Sequence, residues 1–343
     1  MIEYASFLLV FLASFLATRT ALPFFIQRMH VRGMIGKDMN KPGKPEVAEM
    51  GGTMVLLGFV FAVMIGLHLN SYFGLFPGLD LLALLASLLT IVLVGILGII
   101  DDVIGWKKGI RQYQHALFPI FAALPLMVLP QVIGNTGIQV PVFGFINFGI
   151  VYSLILVPIA VTGASNASNM LAGLNGLEGG MGLLNALAVL IVALVLGEVS
   201  VVILMMGIIG ALVAFLFFNW TPAKIFPGDS LTLMMGASIA AACIIGNMEK
   251  VGLMLFGLYF VELILKARTK MQAECFGKIQ PDGTLKAPET IGSLTHVVMR
   301  MGKFTEKQVV LIILGMQVVV VLFTLFVFWY NRYFSSAPLW GGL

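Results

Sequence analysis

The sequence predicts an all-α polytopic membrane protein of about ten transmembrane helices, with its polar chemistry gathered on one face. Its 343 residues are 59% hydrophobic and only 10% charged. Apolar runs of about 18 residues or more recur along most of the length, enough to cross a bilayer as helices. The runs are apolar all round, whereas a soluble core of this size would carry charged outer stripes. Together these observations exclude a soluble globular fold.

The expected spans cover residues 4–24, 52–69, 81–100, 115–133, 149–165, 181–197, 200–218, 231–247, 251–268 and 308–330, as a single integral membrane domain over 1–343. The first span lacks a small-residue cleavage site and holds Arg19 inside it, so it stays as an anchor. The third closes on Asp101 and Asp102, and the fifth runs into an asparagine- and glycine-rich joint. Pro222, Pro227 and Gly228 make a tight re-entry between the seventh and eighth. Cys243 falls inside the eighth span and Cys275 in a polar loop, so no disulfide is expected.

Charge sets the orientation. Loops 25–51, 101–114, 219–230 and 266–307 hold nearly all the basic residues, while the opposite loops and tails hold only Lys250 and Arg332. The positive-inside rule makes the first set cytoplasmic and leaves both termini outside. The same parity puts loop 166–180 in the cytoplasm, although it has no lysine or arginine. Most carboxylates share that face, which the rule does not require. A transporter would more typically set ionisable groups midway along its spans, and here the middles are almost clean.

Three stretches carry the chemistry. In "GILGIIDDVIGWKKGIR", residues 95–111, adjacent aspartates close an apolar span and Lys107, Lys108 and Arg111 follow. Two carboxylates at a membrane boundary repel each other and are costly to desolvate, so they call for a shared proton or a cation such as Mg²⁺. The plainer reading is a solvated helix end. In "FNWTPAKIFPGDSLTL", residues 218–233, Asp229 or Ser230 reads first as an N-cap. A helix N-terminus there would also suit a phosphate and a metal that the phosphate shares. In "NASNMLAGLNGLEGG", residues 166–180, Asn166, Asn169 and Gly173 fall at spacings that share one helix face, and the glycines allow close approach of a ligand. Carboxamides can ligate a hard cation or read a base and sugar without adding charge. A glycine-rich turn explains the glycines but not two asparagines inside a helix.

These stretches, with "GMIGKDMNKPGKPEVAEMGG" at 33–52, closely resemble the polyprenyl-phosphate N-acetylhexosamine-1-phosphate transferases, in the family's order and over almost the whole chain. "NGLE" at 175–178 resembles the eukaryotic and archaeal branch, which acts on UDP-N-acetylglucosamine and dolichyl phosphate; the bacterial cell-wall branch usually has an Asp-Gly-Leu-Asp form there. The resemblance implies an active site on the cytoplasmic face. It implies that Asp101 and Asp102 form the acidic pair near the acceptor phosphate, and that Asn175 and Asp229 hold Mg²⁺ or Mn²⁺ on the nucleotide's pyrophosphate. Lys108 or Lys107 would neutralise phosphate charge, and Asn166, Asn169, Gly173 and Glu178 would lie on the nucleotide side. Lys37, Asp38, Asn40, Lys41 and Glu49 would line the cytoplasmic groove, with Glu49 touching the nucleotide.

The last loop departs from the family pattern. Where bacterial branches carry a histidine cluster and eukaryotic enzymes an Arg-His-Arg motif for the sugar, residues 266–307 offer one histidine, His296, read as a helix-end polar residue. Sugar contacts then fall to Glu274, Lys278 or Gln280. The implied reaction is direct transfer of N-acetylglucosamine-1-phosphate from UDP-N-acetylglucosamine to a dolichyl-type phosphate, with another UDP-N-acetylhexosamine or undecaprenyl phosphate as alternatives. A covalent Asp101 or Asp102 intermediate is the alternative route. A transporter and a membrane scaffold are the competing classes. The partners expected are the UDP-sugar, the lipid phosphate and the bilayer, with a homodimer open and no nucleic acid. The membrane would be the plasma membrane in a prokaryote and the endoplasmic reticulum in a eukaryote.

Overall fold

The computed structural model describes residues 2–105, 117–134, 137–140 and 144–334. In chain order the elements are α1 (Ile2–Arg32), β1 (Ile35–Lys37), β2 (Glu46–Ala48), α2 (Gly52–Phe73), α3 (Leu81–Gly105), α4 (Pro119–Ala122), α5 (Leu124–Met127), α6 (Pro130–Gly134), β3 (Gly137–Val140) and β4 (Gly144–Asn147). A π-helical turn (Tyr152–Leu156) leads into α7 (Val157–Met170), followed by α8 (Leu177–Leu196), α9 (Val199–Asn219), α10 (Gly228–Ile245), α11 (Glu249–Leu255) and α12 (Gly257–Arg268). The chain ends with β5 (Lys278–Ile279), β6 (Leu285–Lys286), α13 (Leu294–Met301) and α14 (Glu306–Phe334).

Among the described residues seven helices are long and apolar enough to cross a membrane: Ala5–Arg32, Gly52–Phe73, Leu81–Ile104, Leu177–Leu196, Val199–Asn219, Gly228–Ile245 and Glu306–Tyr333. The other three expected spans are helical but interrupted, and each interruption has a local cause. Over 115–133, Pro119, Pro125 and Pro130 each open a short helix, because proline cannot donate to the preceding turn. Over 149–165 the π-helical turn sits just before Pro158, whose missing N–H removes one rung of the ladder. Over 251–268 the helix breaks at Phe256, and the freed carbonyl of Leu255 accepts a hydrogen bond from Gln317 Nε2 on α14 at 3.0 Å. The same Nε2 also reaches Asn185 Oδ1 on α8 at 2.6 Å, so an apolar interior satisfies the break with side-chain amides. The all-α expectation is corrected in one respect: three small antiparallel hairpins, β1–β2, β3–β4 and β5–β6, occupy the connections.

Helix α10 is the axis of the bundle. It packs against α2, α3, α7, α8, α9 and α11 and is almost wholly buried. Such contact needs backbones to approach closely, and glycines on two neighbours and on α10 itself allow it. A Cβ on Gly52 would stand 2.2 Å from the Leu231 nitrogen, one on Gly98 2.6 Å from the Asp229 carbonyl, and one on Gly236 2.1 Å from the Ala164 carbonyl. Helix α1 is held to α9 by Ser14 Oγ, which donates to the Gly207 carbonyl at 2.6 Å.

The N-terminal end of α10 is also tied to the first connection. The Phe226 N–H donates to the Ala48 carbonyl, and the Gly51 and Gly52 N–H groups donate to the Phe226 and Pro227 carbonyls, each at 2.8 Å. The hairpin β1–β2, the start of α2 and the re-entry before α10 are therefore joined by backbone pairing.

Gly52→Ala forces its methyl into the α10 backbone and should destabilise the protein by about 1–3 kcal/mol. Gly315→Ala, on a face of α14 with nothing within 4 Å of the added methyl among the described residues, should instead be neutral or gain up to ~1 kcal/mol. Thermal melts of the two variants in one detergent decide it; equal melting temperatures would contradict the close α2–α10 contact.

Candidate active site

A polar cavity of about 230 Å³ lies where α10 begins, lined from five directions. Lys37, Asp38 and Glu49 come from the first connection, Asn169 from α7, and Gly173, Asn175 and Glu178 from the turn into α8. Asn219, Phe226, Gly228 and Asp229 come from the α9–α10 re-entry, and Phe276 from the segment after α12.

Asp102 is not among the lining side chains; it stands behind them and holds the start of α10, which carries Asp229 to the cavity. Its Oδ1 accepts the Asp229 N–H at 2.7 Å and its Oδ2 the Ser230 N–H at 3.0 Å. The cap of α10 is therefore supplied by α3, across more than a hundred residues of sequence, and not by Asp229 or Ser230 as the sequence suggested. Two of the N–H groups expected for a phosphate, those of Asp229 and Ser230, are correspondingly taken. The carboxylate lies at the positive end of the helix dipole, where a negative charge is stabilised. Gly228, at φ +70°, is required here: a Cβ would come within 2.5 Å of Asp102 Oδ2. Asp101, its neighbour, is buried on α3 and does not line the cavity.

Glu49 lines the same cavity. Gly36 leaves room for it, since a Cβ there would overlap Glu49 Oε1. Burial, with the nearby carboxylates of Asp102 and Asp229, pushes Glu49 up from 4.5 to about 7.

The side walls are a hydrogen-bonded lattice. Asn175 donates through Nδ2 to Asp38 Oδ2 at 2.7 Å and through its backbone N–H to Glu306 Oε1 at 2.9 Å. Lys41 pairs with the other oxygen of Glu306 and lies 3.7 Å from Asp38, while burial pulls its ammonium below the usual lysine range against the pull of Asp38. Asn40 donates to the Gly173 carbonyl at 3.4 Å and accepts from the Gly277 N–H at 3.4 Å. The backbone N–H of Gly176 donates to Asn219 Oδ1 at 3.1 Å, and Asn219 Nδ2 donates to the Ile225 carbonyl at 2.9 Å. Glu178 Oε1 accepts the Gly173 N–H at 2.5 Å, and its buried Oε2 has no hydrogen-bond partner among the described residues.

The structure thus brings Lys37, Asp38, Glu49, Asn169, Gly173, Asn175, Glu178 and Asp229 to one cavity. Asn40 and Lys41 stand behind its wall, with their polar groups turned to protein partners. Lys278 is exposed on β5 and away from the lining. Lys107 and Lys108 lie outside the described residues. Asn166 is placed apart from Asn169: its Nδ2 donates to the Thr162 carbonyl at 2.8 Å, and it lines a separate apolar groove. That groove, about 530 Å³, runs between α7, α10, α11 and α12 past Ile159, Met170, Leu253, Phe256 and Phe260. Asn219, Phe276 and Glu306 were not singled out from sequence. Only Asn219 left a signal, as a lone amide closing the apolar run of α9.

The family described as glycosyl transferase family 4 matches residues 84–247. A protein of Sulfolobus acidocaldarius, provisionally named a UDP-N-acetylglucosamine dolichyl-phosphate N-acetylglucosaminephosphotransferase, is 38% identical over 93% of this chain and 95% of its own. A Saccharolobus solfataricus protein with the same provisional name is 38% identical over 91% of this chain and 94% of its own. The phospho-N-acetylmuramoyl-pentapeptide-transferase of Streptococcus equi subsp. equi is 33% identical over 73% of this chain and 76% of its own.

The raised Glu49 makes a pH prediction. Between about pH 4.5 and 7 the folded protein holds a proton on Glu49 that the unfolded chain has released. That contribution to stability is full below pH 4.5 and is lost as the pH rises through 7. In the presence of a chelator, Glu49→Gln should therefore raise the melting temperature relative to wild type at pH 8 and lose most of that advantage at pH 5. A pH-independent difference would contradict the buried-carboxylate placement.

Proposed function

The chain belongs to the glycosyl transferase family 4 proteins and, within them, to the polyprenyl-phosphate N-acetylhexosamine-1-phosphate transferases; from that premise we propose that it moves N-acetylglucosamine-1-phosphate from UDP-N-acetylglucosamine to a dolichyl-type phosphate. The observation that carries this reading is the juxtaposition on α7. Asn169 faces the carboxylate-lined cavity, and Asn166, one turn earlier, faces the apolar groove. A water-soluble phosphorylated donor suits the first and a polyprenyl chain suits the second. Ile159, Leu253 and Phe260 on the groove wall are exposed on the outer surface of the bundle, so a lipid tail can enter sideways.

The donor set fits a hard divalent cation. Glu49 and Asp229 line the cavity, with the carboxylate of Asp102 close behind them, and a cation there relieves their repulsion. Among the described residues no three His, Cys, Asp or Glu side chains form a closed metal site. That suits Mg²⁺, which takes one or two carboxylates and completes its shell with substrate phosphates and water. Asp229 and the side-chain oxygen Oδ1 of Asn175 would hold it; Nδ2 of Asn175 is already committed to Asp38. When bound, the ion neutralises pyrophosphate charge as it develops.

The chain's own residues do the rest. The acceptor phosphate is already ionised at neutral pH, so no strong base is needed. One of its oxygens attacks the β-phosphorus of the donor in line, the bond to the α-phosphate bridging oxygen breaks, and UMP leaves. Positioning and charge stabilisation supply the catalysis. Asp102, with both oxygens accepting backbone N–H bonds, is a poor nucleophile in this geometry, which favours single displacement over an aspartyl-phosphate route. The reading also places the site at the cytoplasmic face.

Release of UMP from UDP-N-acetylglucosamine, dependent on polyprenyl phosphate and divalent metal, tests the assignment; uptake or conductance without release would sink it. Asp229→Ala should lower turnover by at least about a hundredfold with a near-wild-type melting temperature, and full activity at limiting Mg²⁺ would remove Asp229 from the ligand set. Labelled UMP should not exchange into UDP-N-acetylglucosamine without acceptor. Such exchange, erased in Asp101→Asn or Asp102→Asn, would establish the covalent route instead.

A further inference from the structure

Arg19 is a cation inside a membrane-spanning run, and the structure turns it outward. It lies on α1 with an exposed side chain. Its guanidinium sits 4.6 Å from the ring centroid of Phe218 and 5.7 Å from that of Phe217, both in the last turn of α9. A charge in hydrocarbon is costly, and aromatic faces offset part of that cost. Among the described residues no carboxylate pairs with the guanidinium. Its depth is set by the same rings. Phe218 precedes Asn219, which ends α9 and lines the active-site cavity, so Arg19 lies where the chain leaves the bilayer on the cavity side.

A second cation joins it. Lys224, exposed on the re-entry before α10, donates its backbone N–H to the Phe218 carbonyl at 2.7 Å. Phe218 thus carries Arg19 at its ring and Lys224 at its backbone, and neither cation lines the cavity. Away from this end, Leu12 and Leu16 on α1 and Phe217 on α9 are exposed. Positions 12, 16 and 19 are about one turn apart and share a face of α1. Helices α1 and α9 pack along each other, and Phe15 meets Phe217 edge-on at 6.2 Å across the seam.

An apolar track that ends in two cations has the chemistry of an acyl chain that ends in a phosphate. We propose that the seam of α1 and α9 binds an anionic phospholipid from the leaflet bordering the active-site cavity, with its phosphate on Arg19 and Lys224 and one chain along Leu12, Leu16 and Phe217. Arginine suits the task, since its planar fork can meet two phosphate oxygens while its face stays on a ring. The apolar groove is a different place, lined by α7, α10, α11 and α12, so the lipid of the seam is not the acceptor. Bound there, it bridges α1 to the re-entry that leads to Asp229, and a ligand of the folded state stabilises it.

The test is native mass spectrometry of the full-length protein released from nanodiscs of mixed phosphatidylcholine and phosphatidylglycerol, with thermal melts in detergent alongside. Wild type should retain phosphatidylglycerol at least about fivefold above its share of the bilayer, roughly the enrichment that one interfacial cation provides. Arg19→Gln combined with Lys224→Gln should bring this within about twofold of the bilayer share. Lys286→Gln combined with Lys303→Gln removes the same charge from exposed positions on and beside β6, and should leave retention as in wild type. Equal loss in both pairs reduces the enrichment to net charge and overturns the site. Undiminished retention in the first pair, even with a lowered melting temperature, overturns it as well. Should that pair fail to fold, Lys224→Gln alone, on an exposed connection, should still lower retention at least about twofold, and wild-type retention there is the same refutation. In the melts, phosphatidylglycerol should raise the wild-type melting temperature and inorganic phosphate at equal concentration should not; equal shifts assign a free anion and overturn the lipid occupant.

Discussion

The carboxylate of Asp102 on the first turn of α10 is the interaction on which the rest of the site depends. It joins the end of one helix to the beginning of another through two charge-assisted hydrogen bonds, at 2.7 and 3.0 Å. It can do so only because Gly228 and Gly98 leave room for the two backbones. With α10 fixed, Asp229 is held at the cavity floor, the preceding re-entry pairs with Ala48, and Glu49 is carried in beside them. Anionic groups that would disperse in water are thus held together by a helix end and by backbone pairing.

Much of this was legible in the sequence, and what was not has a common cause. The apolar runs gave the spans, because a bilayer allows few other structures. Span continuity was less legible: Pro119, Pro125 and Pro130 were visible, but an apolar composition masks them. Motif residues close in sequence, such as Gly173, Asn175 and Glu178, meet at one cavity. Asn166 and Asn169 share a helix but serve different spaces, because a separation of three residues turns a side chain by about 60° from its neighbour's direction. Glu306, which helps to fix a wall, lies 131 residues from its partner Asn175. No local pattern announces such a pair.

The walls also show how a small cavity stays ordered beside a lipid phase. Asp38, Lys41, Asn175 and Glu306 exchange hydrogen bonds with each other, and the Asn219 amide joins two turns. Each turn that borders the cavity is secured by a side chain from another element. Polar atoms buried in this way are costly if left unpaired, so losing one member of the lattice exposes its partner to that cost.

The broken helix has a consequence beyond packing. By interrupting the ladder at Phe256, with Gln317 closing off the exposed carbonyl, the chain leaves α11 and α12 as separate segments along a groove whose Ile159, Leu253 and Phe260 are exposed, the route proposed for the lipid. A tail entering there comes from two-dimensional solution. The concentration that governs its encounter is its mole fraction among the surrounding lipids, so adding inert lipid or detergent dilutes the acceptor while leaving a water-borne donor at full strength.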